Sequence, residues 1–137
     1  MFEVTLIPII VAAITSVILA FVWYSDHLFG RAFKRHLNFT PEQSERGMKR
    51  MPLMAFLAFL SSIVAAYVLN YFGIAWGVYD VVGAIELGIW VWLGFVAPPM
   101  LGMVLWEMKP LKHFLIVAGY WLFSFIMMAV ILVLLAQ

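Results

Sequence analysis

Glu86 is the residue with the most chemical potential in this chain. It lies in DVVGAIELGIWVWLGFVAPPMLGMVLWEMKP, a stretch from Asp80 to Pro110 long enough to cross a bilayer. A carboxylate inside an apolar run is expensive unless it faces protein or water, so a binding role is the default expectation. Counted from Val81, it sits roughly 8 Å into the span at 1.5 Å per residue. Tyr67, on the preceding span, falls at a matching depth. On a straight helix Glu86 shares a face with Trp90, Leu93 and Ala97, while Ala84, Gly88 and Gly102 form the opposite, small face. That small face is expected to contact spans one and two. At this depth the carboxyl can instead snorkel to the interface as a plain packing residue.

A second constellation gathers where the spans meet the basic loops. Trp23, Tyr24, Ser25, Asp26, His27 and Arg31 leave the first span at the level where Trp106, Glu107, Lys109, Lys112 and His113 join the last two, with Tyr120 close behind. Such a rim can hold an anionic headgroup. Equally, Trp and Tyr form interfacial belts and flanking charges anchor helix ends. A metal would require Asp26, His27, Glu107 and His113 to converge without any HExxH or ExxH pattern, so neither a metal site nor a cofactor is expected. Met48, Met51 and Met54, like Met100 and Met103, read as fillers of an irregular core. Cysteine is absent, which removes thiolate catalysis and disulfides together. There is no GxSxG, no phosphate-binding glycine loop and no lipidation signal. No catalytic residue is assigned. The candidate ligand-binding residues are Glu86, Trp90, Tyr67, Glu107, Tyr120, Trp23, Tyr24 and Arg31.

The elements that must position them are membrane spans. Of 137 residues, 66% are hydrophobic and 11% charged, against about half and a quarter in soluble domains. One domain of four spans fits, at about 4–24, 52–72, 81–106 and 112–136, with a polar amphipathic loop over 25–51. The first run lacks a positive n-region and a small-residue cleavage site, so it reads as a retained span. Ala12, Ser16 and Ala20 on span one, and Ala58, Ser62 and Ala66 on span two, are small-residue stripes for close helix contact. In the loop, RAFKRHLNF predicts an amphipathic helix with Leu28, Phe29, Phe33 and Leu37 toward the membrane. Thr40-Pro41-Glu42-Gln43 predicts a helix start with a capping box, which Gly47 should end or loosen before Pro52 opens span two. Pro98-Pro99 frees carbonyls near Gly94 and Phe95 and should kink span three. The expected fold is an all-α integral membrane four-helix bundle, its third helix kinked at Pro98-Pro99. By analogy with other small four-span proteins it should self-associate as a homo-oligomer.

All eight Lys and Arg fall within 31–50 and 109–112. Two-span parity puts those loops on one side of the membrane, and the positive-inside rule makes that side cytoplasmic. This predicts a multi-pass protein of the cytoplasmic (inner) membrane. Loops 25–51 and 107–112 face inward, while both termini and the 73–79 connection face outward. A net charge of +1 argues against a nucleic-acid partner. The loop bases can adhere to anionic membrane lipid at about 1 kcal/mol each.

Three blocks carry a resemblance: Trp23-Tyr24-Ser25 with Leu28-Phe29-Gly30; Trp92-Leu93-Gly94-Phe95-Val96-Ala97-Pro98; and Glu107, Lys109-Pro110, Phe114, Ile116 and Gly119-Tyr120-Trp121. Together they resemble a family of small four-span bacterial membrane proteins catalogued as domain of unknown function 1761. The resemblance covers nearly the whole chain. Its pattern often has Pro after Trp-Tyr-Ser, where this chain has Asp26. It implies a four-helix membrane domain with shared residues at the inner ends of spans one, three and four, and no activity.

Three classes of function remain. A binding or transport module would take a lipid, hydrophobic small molecule or ion beside the kink, in a cavity lined by Trp90, Leu93 and Tyr120. Glu86 or Glu107 would supply its charge. An accessory or structural subunit would need no ligand. A membrane enzyme would need Arg31, Tyr24 and Tyr120 to converge at the inner rim.

Overall fold

The computed structural model describes residues 6–25, 27–37 and 40–135, with the backbone alone at 34–37 and 44. Asp26 therefore lies outside the described residues, as does the side chain of Leu37. The element order is α1 (Leu6–Trp23), α2 (Gly30–Leu37), α3 (Pro41–Ala75), α4 (Val81–Val91), a π-turn over Trp92–Val96, α5 (Ala97–Leu105) and α6 (Leu111–Leu135). Among the described residues, four helical runs are long and apolar enough to cross a membrane: α1, α3, α4 through α5, and α6. The architecture is an all-α, four-span membrane bundle.

The start of α3 follows from its first four residues. Thr40 caps the helix, accepting from the Gln43 N–H at 3.2 Å, while the Gln43 side chain accepts from the Thr40 N–H at 3.0 Å. Pro41 occupies the first turn, where its missing N–H is not needed. The helix does not stop at Gly47, contrary to expectation, and passes through Pro52. Its 35 residues span about 52 Å, far more than a hydrocarbon core of about 30 Å. The physical reason is the length of the run: Gly47 and Pro52 penalise the helix where they stand, but the capping box and a long run of good formers outweigh them. Pro52 strips the Met48 carbonyl of its donor on an exposed turn beside Lys49 and Arg50, where solvent can replace it.

Asp80 caps α4, its carboxylate accepting from the Gly83 N–H at 2.7 Å. The turn before it runs through Gly77, whose φ of 69° is the left-handed conformation glycine tolerates. Between α5 and α6 the chain reverses through Met108 at φ 57°, and the Lys109 N–H donates back to the Met103 carbonyl at 2.9 Å.

The third span is interrupted where the prolines predict. Pro98 and Pro99 have no N–H, so the Gly94 carbonyl has no donor at either the fourth or the fifth following residue. The backbone answers with the π-turn, in which Ala97 N–H reaches back to the Trp92 carbonyl.

The bundle is centred on α6, not on the third span. In its most apolar window 44% of the residues are buried, against 28%, 17% and 22% for the other three spans, so α6 is the helix the others pack around. It contacts α1, α3 and α4, and the core joins Ile9 and Ala12, Ala66 and Leu69, Leu87 and Val91 with Phe125, Met128 and Leu132. Ala84 and Gly88 form a close-packing face as expected, but it lies on α6 rather than on spans one and two. A Cβ on Gly88 would stand 2.8 Å from the Ile126 Cα. Gly102 takes no part; only the Trp106 ring comes near it.

Candidate functional site

The small-residue stripes of α1 and α3 meet as predicted over half their length. Ala12, Ser16, Ser62 and Ala66 are buried, and the serines join α6 in a hydroxyl cluster. Tyr120 donates to the Ser16 carbonyl at 2.9 Å and lies 3.1 Å from its hydroxyl. Ser16 Oγ is 2.7 Å from Ser124 Oγ, and Ser62 Oγ donates to it at 3.4 Å. Because the Tyr120 proton goes to the carbonyl, the serines supply the protons for the remaining bonds. In an apolar surround these bonds tie three spans together. A Tyr120→Phe variant should lose about 0.6 kcal/mol, the average for such bonds in membranes. The unfolding midpoint in a denaturing-detergent titration measures it.

Next to this cluster the family-like blocks become mechanical parts. Trp23 donates its indole N–H to the Ile116 carbonyl at 3.0 Å, and Trp92 donates to the Ala118 carbonyl at 2.8 Å. Gly119 lets the Trp23 ring lie on α6, since a Cβ there would meet that ring at 3.3 Å. After Trp23 the chain turns: Leu28 and Gly30 N–H both donate to the Ser25 carbonyl, at 3.1 and 2.9 Å. A Cβ on Gly30 would collide with the backbone of Tyr24 and Ser25, so this turn admits only glycine. It returns α2 to the bundle, where Phe33 stacks on buried His113 at 5.6 Å and meets the edge of Tyr24 at 4.9 Å.

Beyond Ser16 and Ser62 the stripes are no longer covered. Ala20 is only part-buried and Ala58 is exposed, and between them opens a cleft of about 410 Å³. Val17, Ala20 and Phe21 of α1 with Tyr24 just beyond it form one wall, Met51, Met54, Ala55 and Ala58 of α3 the other, and Phe33 closes the end. The α3 residues recur at the i, i+3, i+4, i+7 spacing of one helix face. Tyr24 rests against Tyr120 at 5.7 Å, yet its own hydroxyl bonds to no described residue. Arg50 is about a quarter turn of α3 from the Met51–Ala55 face. The cleft is thus apolar, of ligand-pocket size, and carries one uncommitted hydroxyl in its wall.

Of the residues expected at the site, the structure brings together Trp23, Tyr24 and Tyr120, but Tyr120 is locked into the hydroxyl cluster. Arg31 and Glu107 are both exposed, the one in the first turn of α2 and the other in the α5–α6 turn. Glu86 and Trp90 lie on a different pocket at the opposite end of the bundle, and Tyr67 is exposed on α3 outside that pocket. A cavity beside the π-turn does exist, but it is lined by Phe95, Val96, Pro99, Trp121 and Ser61 rather than by Trp90, Leu93 and Tyr120. Leu93 is exposed instead, and the burial of Tyr120 follows from its bonds to Ser16. Among the described residues no group of three or more His, Asp or Glu converges. Missed at the sequence level were Phe33 as a cleft wall and the pairing of Ala20 with Ala55 and Ala58 as its floor. The spacing of Met51, Met54, Ala55 and Ala58 was the available signal.

The family profile described as "Protein of unknown function (DUF1761)" matches residues 7–133, nearly the whole chain. The chain belongs to the DUF1761 family. No curated protein and no solved structure matches it. Membership in DUF1761 brings no activity with it, but the bundle assigns mechanical parts to the blocks that carried the resemblance. Trp23, Gly30, Trp92, Gly119 and Tyr120 hold α1, the π-turn and α2 against α6.

Proposed function

We propose that this chain is a membrane-embedded binding module that admits one amphipathic small molecule into the cleft between α1 and α3. The supporting observation is the half-used stripe: small residues close α1 against α3 at Ser16 and Ser62 but leave Ala20, Ala55 and Ala58 uncovered. Two adaptable methionines line what remains, with a phenol whose hydroxyl bonds to no described residue. A bilayer acyl chain gains no hydrophobic free energy on moving from lipid into an apolar cleft, because lipid tails are as apolar as the wall. Selection must therefore come from the polar end. The Tyr24 hydroxyl and the neighbouring Arg50 favour a ligand whose head is anionic or accepts hydrogen bonds. The positive-inside rule puts this end of the bundle at the cytoplasmic face of the inner membrane, so the ligand enters sideways from the inner leaflet.

Photolabelling tests the reading. The full chain in liposomes is exposed to a fatty acid bearing a diazirine on its chain, and the modified residues are mapped by peptide mass spectrometry. Labelling should concentrate on Tyr24, Phe33, Met51 and Met54 and be suppressed by excess unlabelled fatty acid. Labelling spread evenly over outward residues such as Ile14, Phe56 and Leu101, with no suppression, would contradict it and favour a ligand-free accessory subunit.

A further inference from the structure

The opposite end of the bundle holds a separate concavity of about 280 Å³, formed by the 76–80 turn and the first turns of α4. Glu86 and Trp90 share one face of α4 at i, i+4 spacing, and Trp76 and Tyr79 face them from the turn. Trp76 is held by stacking on Phe72, with ring centroids 5.6 Å apart and planes 12° from parallel. Gly83 lines the concavity without a side chain; a Cβ there would stand 2.9 Å from the Asp80 carboxylate. The Asp80 carboxylate is engaged at the α4 cap, whereas the Glu86 carboxylate has no hydrogen bond or ion pair with any described residue.

The charge distribution makes that carboxylate informative. The chain has no Lys, Arg or His between Arg50 and Lys109, and none after His113. No Lys, Arg or His side chain of this chain therefore stands at Glu86's end of the bundle to pair with it. Three aromatic rings are poor ligands for a metal ion, which would take an oxygen cage. They suit a cation that carries its charge on carbon-clad nitrogen, since ring faces attract it without stripping a tight hydration shell. We infer that the Glu86–Trp90–Trp76–Tyr79 pocket binds an organic ammonium cation, either a quaternary lipid headgroup or a free amphiphilic amine. This site stands apart from the cleft between α1 and α3 and does not depend on it.

The test uses the full chain in neutral maltoside micelles with benzyltrimethylammonium as the probe, followed by calorimetry. The uncharged tert-butyl analogue serves as a shape control. Saturable binding at one site per chain is expected, weakened at least tenfold in Glu86→Gln. It should also weaken in Trp90→Leu, which keeps the charge and removes a ring, and be absent for the neutral analogue. Glu86 and Trp90 are surface residues, so both variants should keep the wild-type unfolding midpoint. Competition by a choline-headed lipid would identify the occupant as a headgroup, and lack of competition would identify it as a free amine. No saturable binding to the wild type, or equal binding to Glu86→Gln, would overturn the inference and leave an interfacial aromatic belt.

Discussion

A Gly88→Ala variant should unfold at markedly lower denaturing-detergent content than the wild type, losing about 1–3 kcal/mol. The added Cβ would lie 2.8 Å from the Ile126 Cα and 2.9 Å from its backbone nitrogen. Neither atom can rotate away as a side-chain tip could, so α4 must move off α6. Much of the α4 attachment runs through α6, because α4 touches α3 only slightly. The same substitution at Gly47 is the control. Nothing lies within 4 Å of its Cβ position, and it sits inside α3. There alanine should stabilise, by up to about 1 kcal/mol, because it removes the helix penalty of glycine. Opposite signs for one chemical change would establish that close backbone contact, not helix propensity, governs Gly88. Equal effects would refute the packing of α4 on α6.

That pairing illustrates what a membrane sequence can reveal. The small face of the third span was legible from Ala84 and Gly88, but its partner was not. In a soluble bundle the buried side of a helix is more apolar than the exposed side. In lipid both sides are apolar, so hydropathy cannot point from Gly88 to Ile126 or mark α6 as the centre. Tyr120 read as a candidate ligand contact, and nothing in the sequence singled out Ser124. They are the groups through which α6 holds α1. Local chemistry was easier. The capping box at Thr40 and Gln43 and the break before Pro98 follow from neighbours within one turn. The continuity of α3 through Pro52 was missed because a proline penalty is read locally, whereas the helix responds to its full length. The cleft was least legible of all. It exists where side chains are too small to fill space between elements far apart in sequence, and no single residue announces it.

The second large effect concerns that cleft. Ala58 is exposed on the α3 wall, opposite Ala20. Phenylalanine at this position would fill the floor between Met54 and Ala20 with a ring. It adds no polar group and disturbs no hydrogen bond, so the hydroxyl cluster around Ser16 should stay intact and the bundle should keep its stability to within about 1 kcal/mol, as surface-type substitutions do. A phenyl ring on Ile14, exposed on α1 away from the cleft, controls for added bulk in the membrane.

Native mass spectrometry of the full chain, released gently from its own membrane, tests the central claim most directly. The account predicts a wild-type chain carrying one amphipathic molecule in stoichiometric amount. Occupancy should fall at least tenfold in Ala58→Phe and be unchanged in Ile14→Phe, with all three chains equally stable. A bare wild-type chain, or the same occupancy in Ala58→Phe, would contradict it.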